Sequence, residues 1–260
     1  MLTDRLLRQA ADRLRSAEHA RTPVAPLTET FPDLGAADAY RVQLLNVRAR
    51  TAAGATVVGH KVGLSSPVMQ RMMGVDEPDY GHLLDDMRLD PGTPVDTAAY
   101  CAPRIEVEVG FVLGADLPGA GCTTADVLDA TELVVPAVEL IDSRIADWRI
   151  GIADTIADNA SSAGFATGPG TDPRGLDLTA IDARLREDGT VVAEGRSDAV
   201  LGDPAAAVAW LARTVDRFGV RLRRGHLVLP GSCTRAVDVA PGRTYTADFA
   251  GLGSVSLSFR

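Results

Sequence analysis

Cysteine is scarce in this chain, and its few cysteines form no pattern. Cys101, Cys122 and Cys233 are scattered over 260 residues. They form neither a CxxC pair nor a zinc-type spacing, which argues against a zinc site. A sparse, odd cysteine count is typical of proteins in a reducing compartment and predicts a cytoplasmic location.

Several other features are missing. No segment approaches the roughly 18 consecutive apolar residues of a membrane span, and residues 1–21 read as an amphipathic helix of mixed charge, not as a signal peptide. The net charge of −9 comes without a basic stripe, so neither nucleic acid nor a membrane surface is an expected partner. The motifs GxSxG, GxGxxG, P-loop and HExxH are absent, so a nucleotide or nicotinamide cofactor has no support.

The sequence does contain enough apolar residues for one sizeable core, at 46% of the chain, although only 5% are aromatic. Apolar residues at helical spacing predict helices over 3–20 and 36–53. From residue 56 the pattern changes to strands and turns. We therefore predict an α+β protein with an N-terminal helical portion, residues 1–55, and a β-rich body, residues 56–260, built on a rolled or closed, barrel-like sheet.

Local patterns predict individual elements of the body. Alternation indicates strands, turn dipeptides indicate hairpins, and Asp before Pro indicates the start of a helix. The predicted elements are strands over 104–114 and 133–142, a helix over 123–130, a loop over 76–87, a hairpin turning at Asp188-Gly189, and a helix capped by Asp203 with Pro204 as its first residue.

Two glutamates share one face of a very apolar strand. In PRIEVEVGFVL apolar residues occupy every second position, which predicts one buried face, and Glu106 and Glu108 both lie on the other. Two carboxylates so close together repel each other. A hard divalent cation shared between them would remove the repulsion. The alternative is an ordinary solvated strand face, which the ExE spacing alone favours.

A third carboxylate lies in another apolar strand. VVPAVELIDSRI places Glu139 where a charge is costly unless it is paired or bound to a cation. One alternative is an ion pair with nearby Arg144. The other is an oxygen-ligand site in which Glu139 joins Glu106 and Glu108 around one divalent cation. The residues alone leave both open.

Two further residues are candidates for proton transfer or substrate binding. Lys61 lies in the middle of the strand GHKVGL, where it either extends along a sheet edge or faces a site as a carboxylate-binding or acid/base group. Asp79, in GVDEPDYG, is either a turn residue or a site residue. His60 neighbours Lys61 but is expected to point to the opposite face of the strand.

The segment DTIADNASS combines small and polar residues. Asp154, Asp158 and Asn159 read as helix caps or turn residues. Ser161 and Ser162 are candidate hydrogen-bond donors to a substrate.

Taken in order, these segments resemble the 2-keto-4-pentenoate hydratase family of the fumarylacetoacetate hydrolase superfamily. The resemblance runs from about residue 5 to the C-terminus and rests on a combination of motifs. These are K-[IV]-G-L, D-x-P-D-[YF]-G, E-x-E, the later glutamate of VPAVELIDSR, D-x-x-A-D-N-A-S and the closing GLGSVSLSF.

The resemblance implies a role for each matching residue. Glu106, Glu108 and Glu139 match ligands of Mg²⁺ or Mn²⁺, Lys61 and Asp79 match polar residues implicated in proton handling around the substrate, and Ser161 lies in the motif that lines the pocket. The implied fold is a mixed β-roll with an N-terminal helical portion. The implied assembly is a homo-oligomer, a pentamer or decamer, with another enzyme of the same pathway as a further partner.

The implied reaction adds water to a 2-hydroxy-2,4-dienoate to give a 4-hydroxy-2-oxo acid, in the meta-cleavage breakdown of aromatic or steroid compounds. A 4-oxalocrotonate decarboxylase is the first alternative, because such enzymes share the metal ligands. An acylpyruvate-type carbon–carbon hydrolase ranks lower. It usually needs a His-Glu dyad in the helical part, and His19 has only its neighbour Glu18. A non-catalytic protein of this fold would be favoured by loss of one of the three glutamates, and none is lost.

Two positions depart from the family pattern, and neither lies among the predicted metal ligands. The loop 231–236 reads GSCTRA where some hydratases have GALGPM, and we expect Ser232 to contact the substrate there. Thr234 and Arg235 would suit a polar or charged tail, so the chain length of the substrate stays open. His60 stands where relatives often have arginine.

Overall fold

Helices at the N-terminus precede a β-rich body in this computed structural model, which describes residues 1–260 apart from the side chain of Met72. None of the helices that it describes is long and apolar enough to cross a membrane. The helices are α1 (Asp4–Ala20), α2 (Leu27–Thr30), α3 (Ala36–Ala52), α4 (Pro67–Met73), α5 (Thr124–Ala130), α6 (Ile152–Ala157) and α7 (Pro204–Asp216). The strands are β1 (Val57–Gly63), β2 (Asp79–Leu84), β3 (Arg104–Leu113), β4 (Thr131–Ile141), β5 (Ser162–Thr167), β6 (Asp182–Glu187), β7 (Thr190–Arg196), β8 (Leu227–Leu229), β9 (Val237–Asp238), β10 (Thr244–Phe249) and β11 (Gly253–Ser258).

Most predicted elements occur within a residue or two of their expected bounds. Helix α7 begins as predicted, since the Asp203 carboxylate accepts a hydrogen bond from the Ala205 N–H at 2.8 Å. The predicted hairpin connects β6 to β7. Its two turn residues, Asp188 and Gly189, both have positive φ, as a tight hairpin turn of this kind requires.

The first sheet is mixed and carries the candidate site. Its strand order is β2-β1-β8-β3-β4-β5, with β9 paired to β3. The β1–β8 pair is parallel and the other pairs are antiparallel. The predicted α+β class, with a β-roll and an N-terminal helical portion, is confirmed.

A second sheet, in the order β11-β10-β6-β7, adds its apolar side chains to the main core. Residues such as Val107 and Val109 of β3 belong to this core. The opposite face of β3 is also covered, because Glu108 is fully buried there. The expectation of a solvated second face is therefore wrong at Glu108, whereas Glu106 on the same face is half-buried.

The segment predicted as a loop over 76–87 contains strand β2. Every residue of Asp79–Leu84 is buried, so the segment shows no alternation of apolar and polar residues. Its pairing with β1 defines it as a strand. Asp79 is its first residue and lies opposite Gly63.

The N-terminal helices share the main core with the body. Leu7 and Leu14 of α1 lie in the same buried cluster as residues of β3 and β4. The side chain of Gln43 on α3 is fully buried, and its amide donates to the carbonyl oxygens of Tyr80 (2.9 Å) and Ile156 (2.8 Å). The division at residue 55 into two domains stays a prediction.

Candidate active site

Strand register brings three glutamates together. Glu106 on β3 lies directly opposite Glu139 on β4, and Glu108 follows two residues along β3 on the same face. One carboxylate oxygen from each lies within 4.8 Å of the others. Like charges directly opposite each other destabilise a sheet. The arrangement therefore needs a compensating positive charge.

The carboxylate oxygens have few partners within the protein. Glu108 Oε2 accepts the N–H of Gly231 at 2.7 Å. Among the residues that the structure describes, Glu108 Oε1 and both oxygens of Glu139 accept no hydrogen bond, although all are buried. Buried acceptors are nearly always satisfied in proteins. An all-oxygen set of carboxylates with free lone pairs fits a hard cation such as Mg²⁺ or Mn²⁺.

Lys61 supplies the nearest positive charge. Its Nζ lies 3.3 Å from Glu139 Oε2, at ion-pair distance, and donates a hydrogen bond to the carbonyl oxygen of Ala160 at 2.9 Å. The side chain is 4% exposed, which excludes the sheet-edge alternative. The alternative partner for Glu139 is also wrong, because Arg144 pairs with Asp158 at 2.6 Å.

Asp79 and Lys61 converge on Gly63. Gly63 pairs with Asp79 across β1 and β2. A Cβ added at Gly63 would collide with Asp79 Oδ1 and lie 3.5 Å from Lys61 Nζ. Neither oxygen of Asp79 accepts a hydrogen bond from the described part of the chain. The missing side chain at position 63 therefore makes room for two of the predicted site residues.

Burial and mutual repulsion shift the pKa values of the site. Burial, together with repulsion from Glu139 and Glu106, raises the pKa of Glu108 well above its usual value. Burial also raises the pKa of Glu106 to about 7 and raises that of Asp79, which the charge of Lys61 opposes. For Lys61, burial lowers the pKa, but the surrounding carboxylates, Glu139 foremost, raise it above its usual value. Lys61 is thus held as an ammonium group, and burial makes Asp79 easier to protonate than a free carboxyl group.

Two of the three predicted serines, Ser161 and Ser232, have different surroundings. Ser161 is buried, and its hydroxyl has no partner among the described residues, which leaves it free to bind a ligand. The Ser232 hydroxyl is within hydrogen-bond distance of Val107, accepting from its N–H at 3.2 Å. Ser232 therefore fixes the 231–236 loop to β3. Its assignment as a substrate-binding residue stays a prediction.

Three of the four histidines form a separate cluster. His60 is fully buried, and its ring packs against those of His82 and His226 at centroid distances of 4.8 and 5.8 Å. In the register, His60 pairs with His82 and neighbouring Lys61 pairs with Gly81, so alternation directs His60 away from Lys61, as expected. His19 is exposed at the end of α1.

Two further features of the site were not predicted from the sequence. Asn159, Ala160 and Ser161 all have left-handed backbone conformations, which the sequence hints at only through the asparagine. Lys61 is the single lysine of the chain, since the other 25 basic residues are arginine. The occurrence of the single lysine in the middle of an apolar strand is a further sequence signal that Lys61 belongs to a site.

Carboxylates beside one lysine, inside a mixed β-roll, form a site whose oxygen ligands fit a divalent cation. The profile of the family described as Fumarylacetoacetate (FAA) hydrolase C-terminal matches residues 74–259. The chain belongs to this family.

Relatives match along nearly the whole chain. The 2-keto-4-pentenoate hydratase of Paraburkholderia xenovorans (strain LB400) is 44% identical over 99% of this chain and 96% of its own. The 2-hydroxyhexa-2,4-dienoate hydratase of Comamonas testosteroni is 42% identical over 95% of each chain. The structure of 4-oxalocrotonate decarboxylase from Pseudomonas putida G7, complexed with magnesium and adipate, superposes with a TM-score of 0.96 at 37% identity, covering 100% of this chain and 99% of that one.

Proposed function

We propose that the protein is a metal-dependent hydratase that adds water to a 2-hydroxy-2,4-dienoate and gives a 4-hydroxy-2-oxo acid. The buried cluster of Glu106, Glu108 and Glu139 beside Lys61 carries this proposal. The relatives named as hydratases, at 42 to 44% identity over at least 95% of the chain, support the reaction type. The pathway would be meta-cleavage breakdown of aromatic or steroid compounds.

The three glutamates would hold Mg²⁺ or Mn²⁺ through carboxylate oxygens. The magnesium in the decarboxylase structure supports this choice of metal. The bound ion would act as a Lewis acid that polarises the 2-oxygen of a 2-oxo or 2-hydroxy acid. Gly231 helps to orient the site, because its N–H fixes one oxygen of Glu108.

Lys61 and Asp79 would handle the protons. Hydration of a five-carbon 2-hydroxydienoate places a proton on C5 and a hydroxyl group on C4, and both come from water. The 2-hydroxyl group loses its proton and C3 gains one, which gives the 2-oxo acid without a further net change. The Lys61 ammonium group would stabilise negative charge that develops on the substrate and donate a hydrogen bond to it. Asp79, whose pKa is raised by burial, would exchange a proton with the substrate or water.

A second candidate is decarboxylation of 4-oxalocrotonate, favoured by the similarity to the decarboxylase structure. A dicarboxylate substrate would call for a cation at its far end. In the 231–236 loop, Arg235 is exposed and donates to the carbonyl oxygen of Val192 at 2.8 Å, on the second sheet. Arg235 is thus engaged outside the glutamate cluster, and for this reason we rank the hydratase first.

The deciding experiment uses EDTA-treated protein and 2-hydroxypenta-2,4-dienoate. We expect Mg²⁺-dependent loss of the dienol absorbance and formation of 4-hydroxy-2-oxopentanoate. 4-Oxalocrotonate is tested in parallel for released CO₂. Release of CO₂ without hydration of the dienoate would establish the decarboxylase instead, and no turnover of either substrate with metal present would contradict both.

We also propose that the protein works in the cytoplasm as a pentamer or decamer, together with another enzyme of the same pathway. The family resemblance supports the assembly, and the sparse cysteines support the compartment. Light scattering should give a native mass of five or ten times the 27.3 kDa of one chain. A monomeric mass would contradict the assembly.

A further inference from the structure

A short strained turn lies directly beside the glutamate cluster. Asn159, Ala160 and Ser161 have φ values of 56°, 50° and 57°, so three successive residues other than glycine are left-handed. Such residues normally occur singly, because the Cβ atom approaches the following carbonyl oxygen. Strain of this kind persists where the surroundings enforce it, and it concentrates at functional sites. Hydrogen bonds from two side chains hold the turn in this conformation.

Arg144 clamps the turn at both ends. Its guanidinium group donates to the carbonyl oxygens of Asp158 (2.5 Å) and Ser162 (3.3 Å), the residues on either side of the turn. It also donates through Nε to the Asp158 carboxylate at 2.6 Å. Arg144 lies just beyond the end of β4, the strand that carries Glu139. The clamp therefore ties the turn to one of the candidate metal-binding strands.

Asn159 fixes the same turn to strand β2. Its side-chain oxygen accepts the N–H of His82 at 2.8 Å, and its side-chain nitrogen donates to the His82 carbonyl oxygen at 3.0 Å. The amide thus satisfies both backbone groups of one residue on the outermost strand of the first sheet, as a neighbouring strand would. Gly81 allows this approach, because a Cβ there would collide with the Asn159 carbonyl oxygen. The turn is thereby tied to the strand that carries Asp79.

The result of this double attachment is the position of one carbonyl group. Ala160, in the middle of the turn, accepts the hydrogen bond from Lys61 Nζ at 2.9 Å. A lysine side chain is long and flexible, and its ammonium group has no preferred direction of its own. The fixed Ala160 carbonyl group gives the ammonium group a defined direction, with Nζ 3.3 Å from Glu139 Oε2.

We propose that Asn159 and Arg144 are positioning residues for Lys61: they hold the strained turn 159–161 against both strands, so that the Ala160 carbonyl keeps the ammonium group beside the glutamates. This inference rests on the role of Lys61 in the proposed function. Neither residue needs to touch the substrate. Both act through the backbone of the turn.

The test substitutes Asn159 in two ways. Asn159→Gly removes the amide but places at this position the residue that adopts a left-handed conformation most readily. Asn159→Ala removes the amide and keeps a Cβ. If the amide only relieved backbone strain, Asn159→Gly would behave as wild type. If it positions Lys61, both variants should lose about 10- to 100-fold in kcat, with KM for the dienoate changed less than about threefold.

A second readout does not depend on activity. Because Lys61 is the single lysine, protein labelled with ¹³C at lysine Cε gives one signal in metal-free protein. A fixed ammonium group holds the two ε protons in different surroundings, so we expect two proton shifts in the wild type and one averaged shift in both variants. The matched control is Asn46→Ala, which removes an amide that accepts from Arg15 at 2.7 Å. It should leave kcat and both shifts unchanged.

The outcomes separate this inference from the proposed function. An inactive wild type would reject the hydratase, while the shifts would still decide whether Asn159 positions Lys61. Two distinct shifts in Asn159→Gly, or wild-type kcat in that variant of an active enzyme, would overturn the inference. If Asn159→Ala fails to fold, Asn159→Gly decides alone.

Discussion

At the scale of single residues, the central feature is an imbalance of charge. Four carboxylates, those of Asp79, Glu106, Glu108 and Glu139, surround one ammonium group in a buried site. Burial is the largest cause of the raised pKa values of Glu106 and Glu108, and repulsion between the carboxylates adds to it. A divalent ion would relieve the repulsion and make use of the unpaired oxygens.

Glu106→Gln tests this imbalance. The substitution removes a charge and keeps the volume, so we expect Mn²⁺ binding and the hydration rate to fall by about 100-fold or more. The melting temperature of metal-free protein should be unchanged or higher, because a repulsive charge is gone. Glu132→Gln, an exposed glutamate on β4, is the control and should leave all three unchanged. A normal rate in Glu106→Gln would contradict the metal assignment.

The stabilisation by metal should increase with pH. Because the pKa of Glu106 is about 7 in the folded metal-free protein and 4.5 ordinarily, the folded state holds a proton that the unfolded chain releases. This contribution to stability is present at low pH and is lost as the pH rises through 7. Metal must displace the same proton.

The increase in melting temperature on adding Mg²⁺ should therefore be small at about pH 5.5 and larger at about pH 8. Burial lowers the pKa of His82 to about 4, which has the opposite effect on stability. That effect is common to metal-free and metal-loaded protein, so it cancels in the difference. An increase that is independent of pH would contradict the raised carboxylate pKa.

At the scale of elements, strand register assembles the site. Glu106 meets Glu139 because β3 and β4 pair antiparallel at that position, and Asp79 meets Gly63 because β1 and β2 do. A shift of one residue would turn each side chain to the other face of the sheet. Gly63 is as necessary for this arrangement as the charged residues, because any larger residue at position 63 would occupy the space of the Asp79 side chain.

Gly63→Ala should damage catalysis selectively. The new Cβ would displace Asp79 Oδ1, and a displacement of about 1 Å at a reacting group lowers the rate about 100-fold. Overpacking should also destabilise the fold by about 1–3 kcal/mol. Gly121→Ala is the matched control, because no described atom lies within 4 Å of its added Cβ. Steady-state rates and urea denaturation measure both effects, and an unimpaired Gly63→Ala would contradict the placement of Asp79.

At the scale of the whole molecule, the helical portion and the body form a common core. The apolar residues of α1 and α3 lie in the same cluster as those of both sheets. Gln43 adds two buried hydrogen bonds from α3 to β2 and α6. The N-terminal helices are therefore packed into the core of the body.

Removal of residues 1–55 should prevent the body from folding. The truncation would expose the apolar face that α1 and α3 cover and leave the Tyr80 and Ile156 carbonyl groups without Gln43. We expect residues 56–260 to lack a near-ultraviolet circular dichroism signal and to aggregate. A sharp unfolding transition and Mn²⁺ binding by this fragment would instead establish two separate domains.

Elements with a strong local signal were predictable. The helices α1 and α7 follow from apolar spacing and from the Asp203-Pro204 start, and β3 follows from its alternation. Strand β2 was missed, because burial on both faces removes the alternation by which a strand is recognised. The neighbouring Pro78 also suggested a turn.

By itself, the sequence determined which residues are candidates for the chemistry. The sequence shows that Glu106 and Glu108 share a strand face and that Lys61 and Glu139 lie in apolar strands, because these facts depend only on neighbours along the chain. Only the tertiary structure decided which residues meet. Strand register places Lys61, and not Arg144, beside Glu139. The hydrogen bond from Lys61 to the 159–161 turn likewise depends on contacts between segments far apart in the chain. Local propensity carries no information about such contacts.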